Sequence, residues 1–286
     1  MKIGLISPVV MQLPDGHSAW EETAGVEELV AVAEAADRLG YHHLTCSEHV
    51  VVPVAAEGQK GRGAVYWDPL ATLSFLAART SSIRLLTNVL VLGYHHPLEL
   101  AKSYGTLDRL SGGRVMLGVG VGSLEEEFEL LGRPFADRGA RADDSLRAVR
   151  AAFGREVPEY SGPYYRFSEM AVIPHGVQSH VPIWVGGRTG RSLRRAIELG
   201  DGWMPMAMPR SQLTGLLDRH ERGAGFEVVL SPPEPLDPVA APDRARQLID
   251  RAGSLGATTV NATFVHESPA HYLEQLEALT KLEVMT

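Results

Sequence analysis

Residues 83–123 constrain the fold more than any other stretch of this chain. Ile83–Leu92 is an apolar, β-branched run of the kind that forms a strand covered on both faces. Pro97 then opens helical spacing through Leu98, Ala101, Tyr104, Leu107 and Leu110, and Gly112–Gly113 stops it. Arg114–Val119 reads as a second buried strand, and it runs into Gly118, Gly120 and Gly122. The order is strand, helix, strand, glycine loop. In parallel α/β folds, ligands bind at the end of the strands where that loop lies.

The rest of the chain repeats the unit. Further strands are expected at Lys2–Ser7, His43–Ser47, Pro182–Val185, Gly202–Met206, Phe226–Ser231 and Thr258–Phe264. Helices are expected from Thr23 to Leu39, at Leu70–Thr80 behind Asp68–Pro69, and at Leu124–Leu131 and Ala140–Phe153. Four more follow at Arg191–Leu199, Ser211–His220, Asp243–Ala252 and Pro269–Leu279. A long polar loop spans 53–65, and residues 154–180 look irregular. With right-handed crossovers, eight such units close most simply into a single (β/α)₈ TIM barrel, and 286 residues suit that fold. A doubly wound open sheet is the alternative. It would normally bring a glycine fingerprint to the first turn, and the turn after Ser7 has none.

Composition narrows the class. The net charge of −8 argues against nucleic acid and anionic membrane as partners. No apolar run reaches membrane-spanning length and no leader is recognisable, so a cytoplasmic protein is expected. Cys46 is the single cysteine, which rules out an internal disulfide; it falls in a predicted strand and reads as core packing. The expected partners are a small-molecule substrate and a second copy of the chain in a homodimer.

Four groups of residues carry possible chemistry. Glu48–His49 stands just past the second strand, where a carboxylate and an imidazole can handle a proton near neutral pH. The plainer reading is a pair of polar loop residues. No metal set is expected, because the tandem His95–His96 cannot both face one ion from an extended strand end. Gly118–Ser123 lets backbone approach a ligand closely, or simply turns a barrel corner. Gly186–Gly187–Arg188, between a strand and a helix, has the makings of a phosphate cradle. Trp67, Tyr94, His95, Trp184 and Trp203 could wall a flat ring, or pack the core. An isomerase-like or aldolase-like barrel would normally need a catalytic lysine or paired carboxylates on strand ends, and Lys102, the only lysine between Lys60 and Lys281, lies on a predicted helix.

Three stretches together resemble the luciferase-like monooxygenase superfamily, and more closely its deazaflavin-dependent branch. They are SEHVVVP (47–53), LLTNVLVLGYHHPLELAKSYGTLDRLSGGRVMLGVGVG (85–122) and PIWVGGRTGRSLRRAIELGDGWMP (182–205), in the family's order. The resemblance implies a luciferase-like barrel holding a flavin-like ring at the C-terminal ends of the strands. The implied cofactor is coenzyme F420, with FMN as the alternative, and the implied activity is hydride transfer with a small organic substrate. A non-catalytic flavin-binding protein of the same fold is a further alternative. The implied site comprises Glu48, His49, Asn88, Val89, Gly120, Gly122, Ser123, Val185, Gly186, Gly187 and Arg188, with His49 and Glu48 as the catalytic pair. One well-known branch has Asp-His where this chain has Glu48–His49. Ser123 stands where the sugar-phosphate branch carries a glutamate. The resemblance also implies a cis peptide at Asn88–Val89, with the Asn88 amide satisfying the backbone groups it frees.

Overall fold

The computed structural model describes residues 1–14, 16–54, 63–206 and 208–285. Eight parallel strands form the barrel: β1 (Lys2–Leu5), β2 (His43–Cys46), β3 (Arg84–Thr87), β4 (Val115–Gly120), β5 (Ile183–Gly186), β6 (Gly202–Met204), β7 (Glu227–Leu230) and β8 (Thr259–Ala262). They are joined in chain order. The sheet closes between β8 and β1, with Lys2 opposite Thr259 and Leu5 opposite Ala262. The helices are α1 (Val26–Arg38), α2 (Pro69–Ala77), α3 (Pro97–Ser111), α4 (Glu125–Leu130), α5 (Arg138–Ala152), α6 (Gly190–Leu199), α7 (Arg210–Asp218), α8 (Pro242–Ser254) and α9 (Pro269–Thr280). Among them none is long and apolar enough to cross a membrane.

The period-two alternation of a strand divides the core into two layers. Leu86, Met116, Trp184, Met204 and Val229 fill the inside of the barrel. Their neighbours Leu85, Val115, Ile183, Trp203 and Val228 join the larger layer between sheet and helices. Trp184 and Trp203 are both fully buried, so neither can wall an open site.

The strand expected over Ile83–Leu92 is broken in two. β3 ends at Thr87, the Asn88–Val89 peptide is cis as the resemblance implies, and pairing with β4 resumes at Leu90 and Val91. The backbone there is satisfied by the neighbouring strand. Asn88 N–H donates to the Cys46 carbonyl at 2.8 Å, and Ser47 Oγ donates to the Asn88 carbonyl at 2.7 Å. The expected role of the Asn88 amide therefore falls to Ser47.

Two connections differ from a plain barrel. Met11–Gln12 and Val65–Tyr66 pair as a short antiparallel ribbon that joins the loops after β1 and β2. The middle of the long loop expected at 53–65 lies outside the described residues. Residues 154–180 hold one small hairpin, Tyr160–Ser161 against Arg166–Phe167. The fully buried Asp108 of α3 pins the end of that segment, accepting from Val177 N, Gln178 N and Gln178 Nε2 at 2.7–2.9 Å.

Candidate active site

The site is built at the C-terminal ends of the strands, and its floor is Val89. This half-buried residue caps the inner barrel core of Leu86, Met116, Trp184, Met204 and Val229. It sits there because β4 and β5 present glycine beneath it. A Cβ on Gly120 would lie 2.7 Å from Val89 Cγ2, and one on Gly186 would lie 2.9 Å from Cγ1. Gly122 makes room for different neighbours. A Cβ there would meet the Phe128 ring at 2.5 Å and Val91 Cγ1 at 2.8 Å. The glycines after β4 thus serve close packing of Val89 and α4.

Sequence order suggests a Glu48–His49 pair, but the two side chains take different partners. Glu48 is buried; its Oε2 accepts from Val91 N at 2.6 Å and its Oε1 meets His95 Nε2 at 2.7 Å. It ties the resumed strand to the loop after β2. Burial alone would lower the His95 pKa, but the Glu48 carboxylate outweighs it and holds His95 above its ordinary value.

His49 turns to Glu127. Its Nδ1 lies 2.7 Å from Glu127 Oε2, its ring packs edge-on against Tyr66 with centroids 4.6 Å apart, and its side chain is 19% exposed. Glu127 is 0% exposed and also accepts from Tyr94 Oη, Val50 N and Val51 N at 2.6, 2.6 and 3.2 Å. Burial raises the Glu127 carboxyl, but the four donors together leave it below the usual carboxylate range. An imidazole at the mouth, backed by a buried anion, can take or give a proton.

Reading the acids of 124–131 as a helix N-terminus missed Glu127. The signal is in the spacing: Leu124, Glu127, Phe128 and Leu131 fall on one helical face, so the acid stands in an apolar stripe. Tyr94 and His95, read only as aromatic lining, are the partners of the two carboxylates.

The Gly186–Arg188 turn leads into α6. Gly187 has φ +130°, which a side chain rarely adopts, and its N–H donates to the Met204 carbonyl at 3.2 Å. Thr189 caps the helix, accepting from Ser192 N at 3.2 Å. The first turn points orphan N–H groups outward, beside exposed Arg188. Val185 is buried in β5 below this turn. The loop after β4 is less suited to an anion, because the six-residue α4 begins Glu125–Glu126–Glu127. Gly122 and Ser123 lie in that loop, between β4 and α4, with Arg138 Nε donating to the Gly122 carbonyl at 3.1 Å. Cys46 is buried, its thiol pushed up to about 12 by that burial, in keeping with inert packing.

This is the plan of a parallel barrel that works from the C-terminal ends of its strands. The sequence matches the luciferase-like monooxygenase family over residues 1–233, and the chain belongs to that family. It is 32% identical over 203 residues to an uncharacterized protein of Mycobacterium tuberculosis, covering 68% of this chain and 70% of the relative. It is 28% identical over 193 residues to an F420-dependent glucose-6-phosphate dehydrogenase of Amycolatopsis mediterranei, covering 66% and 56%. In fold it is similar to the monooxygenase RslO1 from Streptomyces bottropensis, with a TM-score of 0.78, 24% identity and 98% of each chain covered. The FMN complex of the oxygenating constituent of 3,6-diketocamphane monooxygenase, from the CAM plasmid of Pseudomonas putida, gives a TM-score of 0.70 at 17% identity, covering 98% and 97%.

Proposed function

We propose that this protein is an F420-dependent oxidoreductase that exchanges hydride between the deazaflavin and a small organic substrate, with His49 as the proton carrier. The observation that carries the reading is the His49 imidazole, held by a buried carboxylate just after β2, at the same end of the strands as the Val89 floor. The fit to a planar, phosphate-bearing group rests on that floor, which exists only because Gly120 and Gly186 lack Cβ atoms, and on the α6 N-terminus. When bound, F420 supplies a carbon centre that accepts or gives hydride and activates oxygen poorly. Val89 would support the ring, Gly186–Arg188 and the first turn of α6 would hold phosphate, and Tyr66, edge-on to His49, would shield the imidazole from water. His49 Nε2 takes the proton of an alcohol, or returns it to a carbonyl. Glu48 acts at one remove, by fixing the strand backbone that carries the floor.

The second reading is an FMN-dependent monooxygenase, favoured by the full-length likeness to monooxygenase structures. Thermal titration of the unliganded protein with oxidised and reduced F420, FMN and NADPH separates the two, because a ligand of the native state raises the melting temperature. F420 is expected to stabilise and FMN not; FMN binding with no response to F420 removes the first reading. His49→Ala is expected to lower turnover on the order of a hundredfold while the fold persists. Unchanged turnover assigns His49 to the loop architecture alone.

A further inference from the structure

Glu127 sits at 0% exposure on a six-residue helix, yet four donors from two other segments converge on it. Tyr94 Oη comes from the turn after β3, and Val50 N, Val51 N and His49 Nδ1 from the loop after β2. The two backbone N–H groups and the hydroxyl are satisfied together by an ionised carboxylate, which has no proton to give. The group 2.7 Å away at His49 Nδ1 must therefore carry its own proton. In a neutral imidazole the lone pair is then on Nε2, which bonds to no other group among the described residues.

We propose that Glu127 is a positioning residue that fixes His49 as its Nδ1–H tautomer, so that Nε2 is the nitrogen that exchanges the substrate's proton. The proposal rests on the reading of His49 as proton carrier. The step balances simply. In the oxidising direction the O–H bond of an alcohol breaks, its proton bonds to Nε2, and the hydride leaves from the adjacent carbon to F420. The ring is then an imidazolium between bulk water and a buried anion, and Glu127 stabilises that charge without itself being protonated. Tyr94 holds the second face of the same oxygen and keeps Glu127 from swinging away.

Long-range ¹H–¹⁵N spectra of the unliganded protein with ¹⁵N-labelled histidine test this without any cofactor. At about pH 9, where an ordinary imidazole is neutral, His49 is expected as the Nδ1–H tautomer; an Nε2–H tautomer overturns the proposal. Glu127→Gln is expected to give a mixture of tautomers. It should lower kcat on the order of a hundredfold, with KM and cofactor affinity unchanged, and Glu127→Asp should restore part of kcat. Wild-type kcat in Glu127→Gln overturns the proposal, as does an equal loss of cofactor affinity, which marks a merely structural role. Should Glu127→Gln fail to fold, the wild-type spectrum decides by itself. Full turnover in His49→Ala removes the parent reading and leaves the tautomer assignment to be judged by the spectrum, so the two failures are distinguishable.

Discussion

Gly120→Ala would press a methyl carbon onto the Val89 side chain, which has the inner core beneath it and can move only up into the mouth. Overpacking of this kind costs roughly 1–3 kcal/mol of stability. The larger consequence is functional, because the displaced valine would occupy the space of the ring. Gly120→Ala is expected to fold, to melt several degrees lower, and to lose at least tenfold in cofactor affinity. Fluorescence titration beside a thermal melt checks both; affinity unchanged from wild type would move the ring off Val89. Glu48 shows how a neighbour in sequence need not be a neighbour in chemistry. It stands next to His49 but serves Val91 and His95, while His49 is served by a glutamate 78 positions away.

The C-terminal ends of α2 and α3 are held by a single side chain. Arg114 donates through Nε to the Ser111 carbonyl, through Nη1 to Thr80 Oγ1 and the Ile83 carbonyl, and through Nη2 to the Ala77 and Thr80 carbonyls, all at 2.8–3.0 Å. The Ala77 and Ser111 carbonyls are among those a helix end leaves without intrahelical partners, and a guanidinium suits that negative dipole end. Lysine carries the charge but not the planar fork. Arg114→Lys is expected to destabilise the fold by about 2–3 kcal/mol, read by urea unfolding. Arg114 lies at the N-terminal end of β4, away from the mouth, so turnover well below the melting temperature should stay at the wild-type value. A loss of kcat without a loss of stability would contradict that separation.

The barrel interior buries imidazoles as well as hydrocarbon. His43 is fully buried, with Nε2 2.7 Å from Asn261 Oδ1 and its ring edge-on to Trp184. Burial pushes it down to about 3, and the adjacent His42 to about 4. Both sit below the unfolded value of about 6.5, so between those limits the unfolded chain binds protons that the folded chain refuses. Stability is therefore complete above about pH 6.5 and falls as pH drops towards 3–4, at up to about 1.4 kcal/mol per pH unit for each histidine. Urea unfolding between pH 7 and pH 4.5 is expected to show this slope, and His43→Gln to lose one histidine's share of it. An unaltered slope in that variant would mean that His43 titrates freely in the folded barrel.

Much of this molecule is legible from the chain alone. Repeated strand–helix spacing, glycine stops and proline starts are local signals, so the eight strands and their parallel closure follow from hydrophobic period and handedness. The valine floor and the α6 turn follow from glycines next to strand ends, since only glycine permits those close approaches. The partners of the carboxylates do not follow. Glu127 lies in a run of three glutamates that reads as a solvated helix start, and only docking of Phe128 against Gly93 and Gly122 turns one of the three inward. Trp184 and Trp203 look like ring walls until closure of the sheet places both in the core. Local periodicity determines which face of an element is apolar; which buried acid meets which histidine depends on how distant loops converge at the barrel mouth, and only the tertiary fold sets that.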